Sequence, residues 1–320
     1  MLLLLLVVVI GFTALIFGAN WLVNGASSLA KKYNVSDLVI GLTIVAFGTS
    51  APELVVNSVA SVKGYSDIVL SNVIGSNNFN LFIILGIAGI IFPIKVQSST
   101  AWKEIPISFF AAVLLLLLAN NFFIKTNGLN VSRMDGFLLL IAFSAFIYYV
   151  FNQLKNEQKD NETKEKVSSN FKILSLISIG FAGLIIGGKL VVDNSVKIAG
   201  QLGVSDKIIG LTIVAAGTSL PELVTSVVAA VRKNSDIAIG NVIGSNVFNL
   251  LLILSVSSFI RPIEFKLVFN TDLIIFISGT VFLFIAMFTG VRKKLDRWEA
   301  ALLLIFYISY TVFLIKNELV

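Results

Sequence analysis

An apolar segment with a carboxylate at its centre occurs twice in this chain, as GLTIVAFGTSAPELVV from Gly41 to Val56 and as GLTIVAAGTSLPELVT from Gly210 to Thr225. Glu53 and Glu222 each follow a proline and stand beside two hydroxyl residues. A carboxylate inside so apolar a run is costly at bilayer depth, so an acid there marks a functional site. Pro52 has no N–H for the carbonyl of Gly48, and its ring disfavours continuing the helix. Carbonyls around Ala46 to Thr49 are thereby released, which a membrane tolerates only where they line a polar cavity. The helix is free to restart at the proline, and this places Glu53 at a positive helix end. Carbonyls, hydroxyls and a carboxylate are all oxygen ligands, the set that a hard cation takes.

The duplication extends well beyond the motif. Ile10–Pro93 aligns with Ile179–Pro262 at a constant offset of 169 residues, without a gap, and about half of the positions are identical. The chain is therefore a duplicated unit. With 57% hydrophobic and 13% charged residues it is no ordinary soluble domain. Apolar runs of about 20 residues, long enough to span a bilayer as helix, are expected near 2–24, 37–62, 68–92, 104–124, 134–152, 171–193, 206–231, 237–260, 271–290 and 297–316. Residues 2–10 lack a basic n-region and a cleavage site, so they are expected to remain as the first helix. Five spans per copy is an odd number, so the second copy must enter the membrane upside down. The expected fold is an all-α polytopic membrane protein. It has ten transmembrane helices arranged as two inverted five-helix repeats, with broken helices meeting at the midplane. The first repeat would occupy residues 1–151 and the second 171–320, joined by a polar, flexible linker at 152–170.

Cys and His are both absent, which removes thiol and imidazole metal sites, redox chemistry and His-based acid–base catalysis. An enzyme is not expected, and no cofactor is implied. The net charge of +6 does not indicate nucleic acid, because the Lys and Arg residues sit in the short connections between spans. Their bias puts the N-terminus outside and the 152–170 linker in the cytoplasm of a multi-pass cell-membrane protein. The partners expected are the lipid bilayer and small cations, and one chain holding both halves of a site is expected to work as a monomer.

Each acidic segment is followed by a polar one, SNVIGSNNFN from Ser71 to Asn80 and GNVIGSNVFN from Gly240 to Asn249. Ser76 with Asn80, and Ser245 with Asn249, are i,i+4 pairs on one helical face. Once, such a segment would be helix-to-helix glue; twice, each time behind a buried acid, it reads as part of the site. Ser36-Asp37, Ser205-Asp206, Ser66-Asp67 and Ser235-Asp236 read as helix N-caps. Gly11 and Gly18, repeated as Gly180 and Gly187, read as close helix packing.

Only Glu53 and Glu222 among the acids fall near mid-membrane, and no basic residue is placed to neutralise them. Two desolvated carboxylates at close quarters repel one another, and a cation between them removes the conflict. A Ca²⁺ takes about 6–8 oxygens, and Mg²⁺ fits less well because it keeps its waters and demands an octahedron. Na⁺ accepts the same oxygens as Ca²⁺.

GTSAPE and GTSLPE, each followed by N-V-I-G-S-N-x-F-N, resemble the sodium/calcium exchanger family of the cation/calcium antiporter superfamily. The resemblance implies exchange of Na⁺ for Ca²⁺ by alternating access, moving net charge. It also implies that the second, third, seventh and eighth helices hold the ions while the first and sixth slide over them. It further implies that Glu53 and Glu222, with the carbonyls of Thr49 and Thr218, hold Ca²⁺. Flanking Na⁺ sites would draw on Ala46, Ser76 and Ser219 on one side and Ser50, Ala215 and Ser245 on the other, with Asn80 and Asn249 lining the middle. Some relatives carry an acid at one of these asparagine positions. The rival readings are a Ca²⁺/H⁺ antiporter using the same glutamates and a cation channel with an acidic constriction.

Overall fold

The structure is a computed structural model that describes residues 1–122, 128–160, 169–202, 215–290 and 293–318. It is predominantly helical: α1 Leu2–Tyr33, α2 Asp37–Thr49, α3 Ala51–Lys63, α4 Ser66–Ile91, α5 Thr100–Ala119, α6 Arg133–Asp160, α7 Asn170–Gln201, α8 Ala215–Gly217, α9 Leu220–Val231, α10 Ser235–Ile260, α11 Val268–Ala286 and α12 Arg297–Glu318. Among the described residues, seven helices are long and apolar enough to cross a membrane, and α2 with α3 makes an eighth if that pair, bent by 45°, is one span. The expected 206–231 span lies partly outside the described residues, as does the Ser205-Asp206 cap.

Local sequence explains most boundaries. α1 ends at Asn34, whose left-handed φ of 52° lets its N–H bond back to the last turn. Ser36 caps α2 by accepting from the Val39 N–H. The caps of α4 and α10 fall one residue before the expected serines. Asn234 caps α10 by accepting from the Ile237 N–H at 3.0 Å, and Tyr65 holds that position for α4. Ser66 and Ser235 accept from the Glu264 and Lys95 N–H groups instead, which ties each helix start to a short strand. α6 runs on to Asp160, into the expected linker, because FNQLKNEQKD contains no glycine or proline and many good helix formers. Positions 161–168 lie outside the described residues.

The helices sort by burial. In α10 94% of the apolar window is buried and in α4 67%, against 22% for α1 and 33% for α7, so α4 and α10 are interior and α1 and α7 peripheral. α1 and α7 run antiparallel in backbone contact. A Cβ at Gly18 would lie 2.9 Å from the Gly180 carbonyl, and one at Gly187 would lie 2.7 Å from that of Gly11. The glycine pairs therefore act in close packing, since only a missing side chain lets two backbones approach so closely.

Contacts between the halves recur with the partners exchanged. Strand β1 (Ile94–Lys95) pairs antiparallel with β4 (Lys294–Leu295), and β2 (Asn130–Val131) with β3 (Ile263–Glu264). Gln97 bonds Asp236, and Lys266, 169 residues on, pairs with Asp67, again displaced by 169. Each end of the bundle is closed by a segment from the opposite half.

Candidate functional site

Both halves break at the motif in the same manner. Ser50 (φ −83°, ψ 3°) and Ser219 (φ −89°, ψ 7°) leave helical geometry. The helix resumes through the Leu54 N–H on the Ser50 carbonyl and the Leu223 N–H on the Ser219 carbonyl. Each proline sits in the first turn of the new helix, where its missing N–H costs nothing further. Gly48 and Gly217 thin the backbone beside the break, so that Phe181 and Val192 of α7 rest directly on it. A Cβ at Gly48 would fall 1.8 Å from the Phe181 ring.

The two acids that follow the breaks face one another inside the bundle, each 1% exposed. Their hydroxyl partners are crossed. Ser50 Oγ donates to Glu222 Oε1 at 3.0 Å, and Ser219 Oγ lies 3.3 Å from Glu53 Oε1 and 3.0 Å from Ser76 Oγ. Among the described residues no Lys or Arg makes an ion pair with either carboxylate, and no three His, Cys, Asp or Glu side chains cluster. Five oxygens of the expected site residues are buried without a hydrogen-bond partner: Glu53 Oε2, Glu222 Oε2, Ser245 Oγ, Asn80 Oδ1 and Asn249 Oδ1. Buried oxygens in this state are costly unless something electropositive meets them. The donor set thus fits a cation bound by two carboxylates and neutral oxygens.

α4 and α10 face the breaks with stripes one turn apart, Asn72, Ser76 and Asn80 on α4 and Asn241, Ser245 and Asn249 on α10. Thr49 Oγ1 donates to Asn241 Oδ1 at 3.0 Å and Thr218 Oγ1 to Asn72 Oδ1 at 3.1 Å, so the two threonine turns are held by mirrored asparagines. Asn241 also donates to the Glu222 carbonyl, and Asn57 to that of Glu53 at 2.7 Å. Asn80 and Asn249 stand in π turns, Phe79–Ile84 and Phe248–Ile253, which widen the helix where the chain must aim a side chain inward.

Ala46 packs on Gly244, next to Ser245, and its carbonyl accepts the Ser50 N–H at 3.0 Å. The methyl of Ala46 thus packs on the inner helix of the opposite half, and its carbonyl closes the turn at Ser50. α8, which begins at Ala215, packs against α4, which carries Ser76. Each broken segment thus lies along the inner helix of the opposite half. Asn72, Asn241, Asn77, Asn246 and Asn57 were not expected in the site. The first four stand in the repeated N-V-I-G-S-N-x-F-N, and their recurrence in both halves was the available signal.

A family model described as sodium/calcium exchanger protein matches residues 3–152 and 172–316. The sodium/calcium exchanger MaX1 of Methanosarcina acetivorans is 34% identical over 345 residues, covering 97% of each chain. A putative antiporter, CaxA, of Alkalimonas amylolytica is 33% identical over 319 residues, covering 97% of this chain and 98% of its own. The solved structure of the sodium-calcium exchanger NCX_Mj, soaked with zero Na⁺ and Ca²⁺, superposes with a TM-score of 0.83 at 33% identity, over 98% of this chain and 100% of that one.

Proposed function

The chain belongs to the sodium/calcium exchanger family, membrane antiporters of Ca²⁺ and a counter-cation, and on that premise we propose that Na⁺ is its coupling ion. Exchange would proceed by alternating access and move net charge in each cycle. The observation that carries this reading is the pair Glu53 and Glu222, buried together with neutral hydroxyl and amide oxygens as their polar surroundings. A carrier that only exchanged protons would need the two carboxylates. The neutral oxygens that flank them suit an alkali cation.

In this reading Ca²⁺ sits between the two glutamates with the carbonyls of Thr49 and Thr218. One Na⁺ site draws on Ala46, Ser76 and Ser219, and the other on Ser50, Ala215 and Ser245, with Glu53, Glu222, Thr49 and Thr218 contributing. Asn80 and Asn249 line the middle. Because the same glutamates serve either ion, Ca²⁺ and Na⁺ exclude one another, and that exclusion is the coupling. The antiparallel glycine seam supports α1 and α7 moving as one body across Gly48 and Gly217.

The architecture proposed is ten spans in two inverted five-helix repeats, residues 1–151 and 171–320. The N-terminus is outside and the 152–170 connection is cytoplasmic. The exchanged contacts between the halves support it, and one chain containing both half-sites supports a functional monomer. The test is Ca²⁺ uptake by proteoliposomes loaded with Na⁺ at equal pH on both sides. Uptake accompanied by an electric current is the expected result. Uptake driven by a pH gradient and indifferent to Na⁺ would replace this reading with Ca²⁺/H⁺ exchange.

A further inference from the structure

Asn77 and Asn246 are completely buried, and neither is among the side chains assigned to an ion. They cross between α4 and α10 at the centre of the bundle. Asn77 Nδ2 donates to the Asn246 backbone carbonyl at 3.1 Å, and Asn77 Oδ1 accepts from Asn249 Nδ2 at 3.0 Å. In the other direction, Asn246 Oδ1 accepts from Asn80 Nδ2 at 3.1 Å.

The polarity of this chain is set at its first link. A backbone carbonyl only accepts, so Asn77 must turn its NH₂ toward residue 246. Its oxygen then points the other way, and Asn249 must meet that oxygen with its own NH₂. What remains of the Asn249 amide is Oδ1, buried and without a partner, on the helical face that carries Ser245 one turn earlier. Asn80, one turn beyond Ser76, also keeps a partnerless Oδ1, but Asn246 Nδ2 is buried without a partner as well, so no carbonyl sets the polarity of that second pair. An amide free to flip would offer a cation its NH₂ as readily as its oxygen.

We propose that Asn77 is a positioning residue, which holds the amide of Asn249 so that oxygen rather than NH₂ faces the transported cation. The inference rests on the cation-exchange reading. It assigns Asn77 a role in ion affinity that acts only through its neighbour.

The experiment is a double-mutant cycle on Ca²⁺ self-exchange in vesicles, which needs no assumption about the counter-ion. Asn77→Ala should raise half-saturating Ca²⁺ about fivefold, the scale of one lost oxygen contact, with maximal turnover changed less. In an Asn249→Asp background the same Asn77→Ala change should produce no further rise, because a carboxylate presents oxygen whichever way it turns. An equal rise in both backgrounds would mean that Asn77 only packs the helices, and no rise in either would mean that it sets nothing. If Asn77→Ala is lost as folded protein by size-exclusion chromatography, the role is packing and the proposal falls. Absence of Ca²⁺ self-exchange in the wild type would instead sink the exchanger reading itself.

Discussion

The Ser50 hydroxyl, at the break of the first half, donates to the Glu222 carboxylate of the second at 3.0 Å. Ser219 returns the contact to Glu53 at 3.3 Å. Neither half closes its own polar cluster: each carboxylate takes its hydroxyl from the other break, and the proposed Ca²⁺ site needs both. Glu53→Gln and Glu222→Gln should therefore each reduce Ca²⁺ uptake into vesicles to background, since each leaves a divalent ion with a single formal charge. The variants should still purify as monodisperse protein, because removing an unpaired buried charge removes a cost rather than a contact. Robust Ca²⁺ exchange by either variant would end the paired-site assignment.

The pairing was legible in the sequence only up to a point. A proline before a carboxylate in an apolar run, written twice, located the breaks, the acids and the serines opposite them. It could not say which inner helix each break lies against. That choice is made by Gly240 and Gly244, which let α2 press onto α10; a Cβ at Gly244 would stand 2.6 Å from that of Ala46. The asparagines at 77 and 246 were visible as letters, but their hydrogen bonds span the two halves. A period of 3.6 residues shows a face of one helix and nothing of what crosses to it.

The glycine seam makes a prediction about stability. A Cβ at Gly18 would lie 2.8 Å from the Leu184 nitrogen and 2.9 Å from the Gly180 carbonyl, both rigid backbone. Gly18→Ala must push α1 and α7 apart, and overpacking of this kind costs about 1–3 kcal/mol. The detergent-solubilised variant should melt at a lower temperature than wild type. Gly200→Ala, on the same α7 with open space around its Cβ, should melt at or above the wild-type temperature because alanine is the better helix former. Equal melting of all three proteins would mean that the seam is not tight in the membrane protein.

The inverted arrangement makes a topological prediction. Residues 160 and 294 should lie on the same, cytoplasmic face of the membrane, because an even number of proposed spans separates them. With no native cysteine to mask, Asp160→Cys and Lys294→Cys report cleanly to a membrane-impermeant maleimide. Both should be protected in intact cells and labelled after permeabilisation. Opposite protection patterns for the two positions would overturn the inverted repeat.

Ser76 and Ser245 separate Na⁺ coupling from proton coupling at the level of one oxygen. Ser76 lies 3.0 Å from Ser219 Oγ beside Glu53, while Ser245 is fully buried on the face of α10 whose Asn241 reaches the Glu222 carbonyl, and its hydroxyl has no partner. A sodium ion needs such neutral oxygens, whereas a carboxylate that merely takes up a proton does not. Ser76→Ala and Ser245→Ala should each raise the Na⁺ concentration that half-inhibits Ca²⁺ uptake. Losing one of the five or so ligands should cost about 1 kcal/mol, which is several-fold in apparent affinity. Half-saturating Ca²⁺ should move much less, because these hydroxyls flank the divalent ion instead of holding it. Isotopic Ca²⁺ uptake titrated with Na⁺ at fixed pH reads both quantities in one series. Superimposable Na⁺ titrations for the wild type and both variants would remove the serines from the Na⁺ sites, even with both glutamates proven essential.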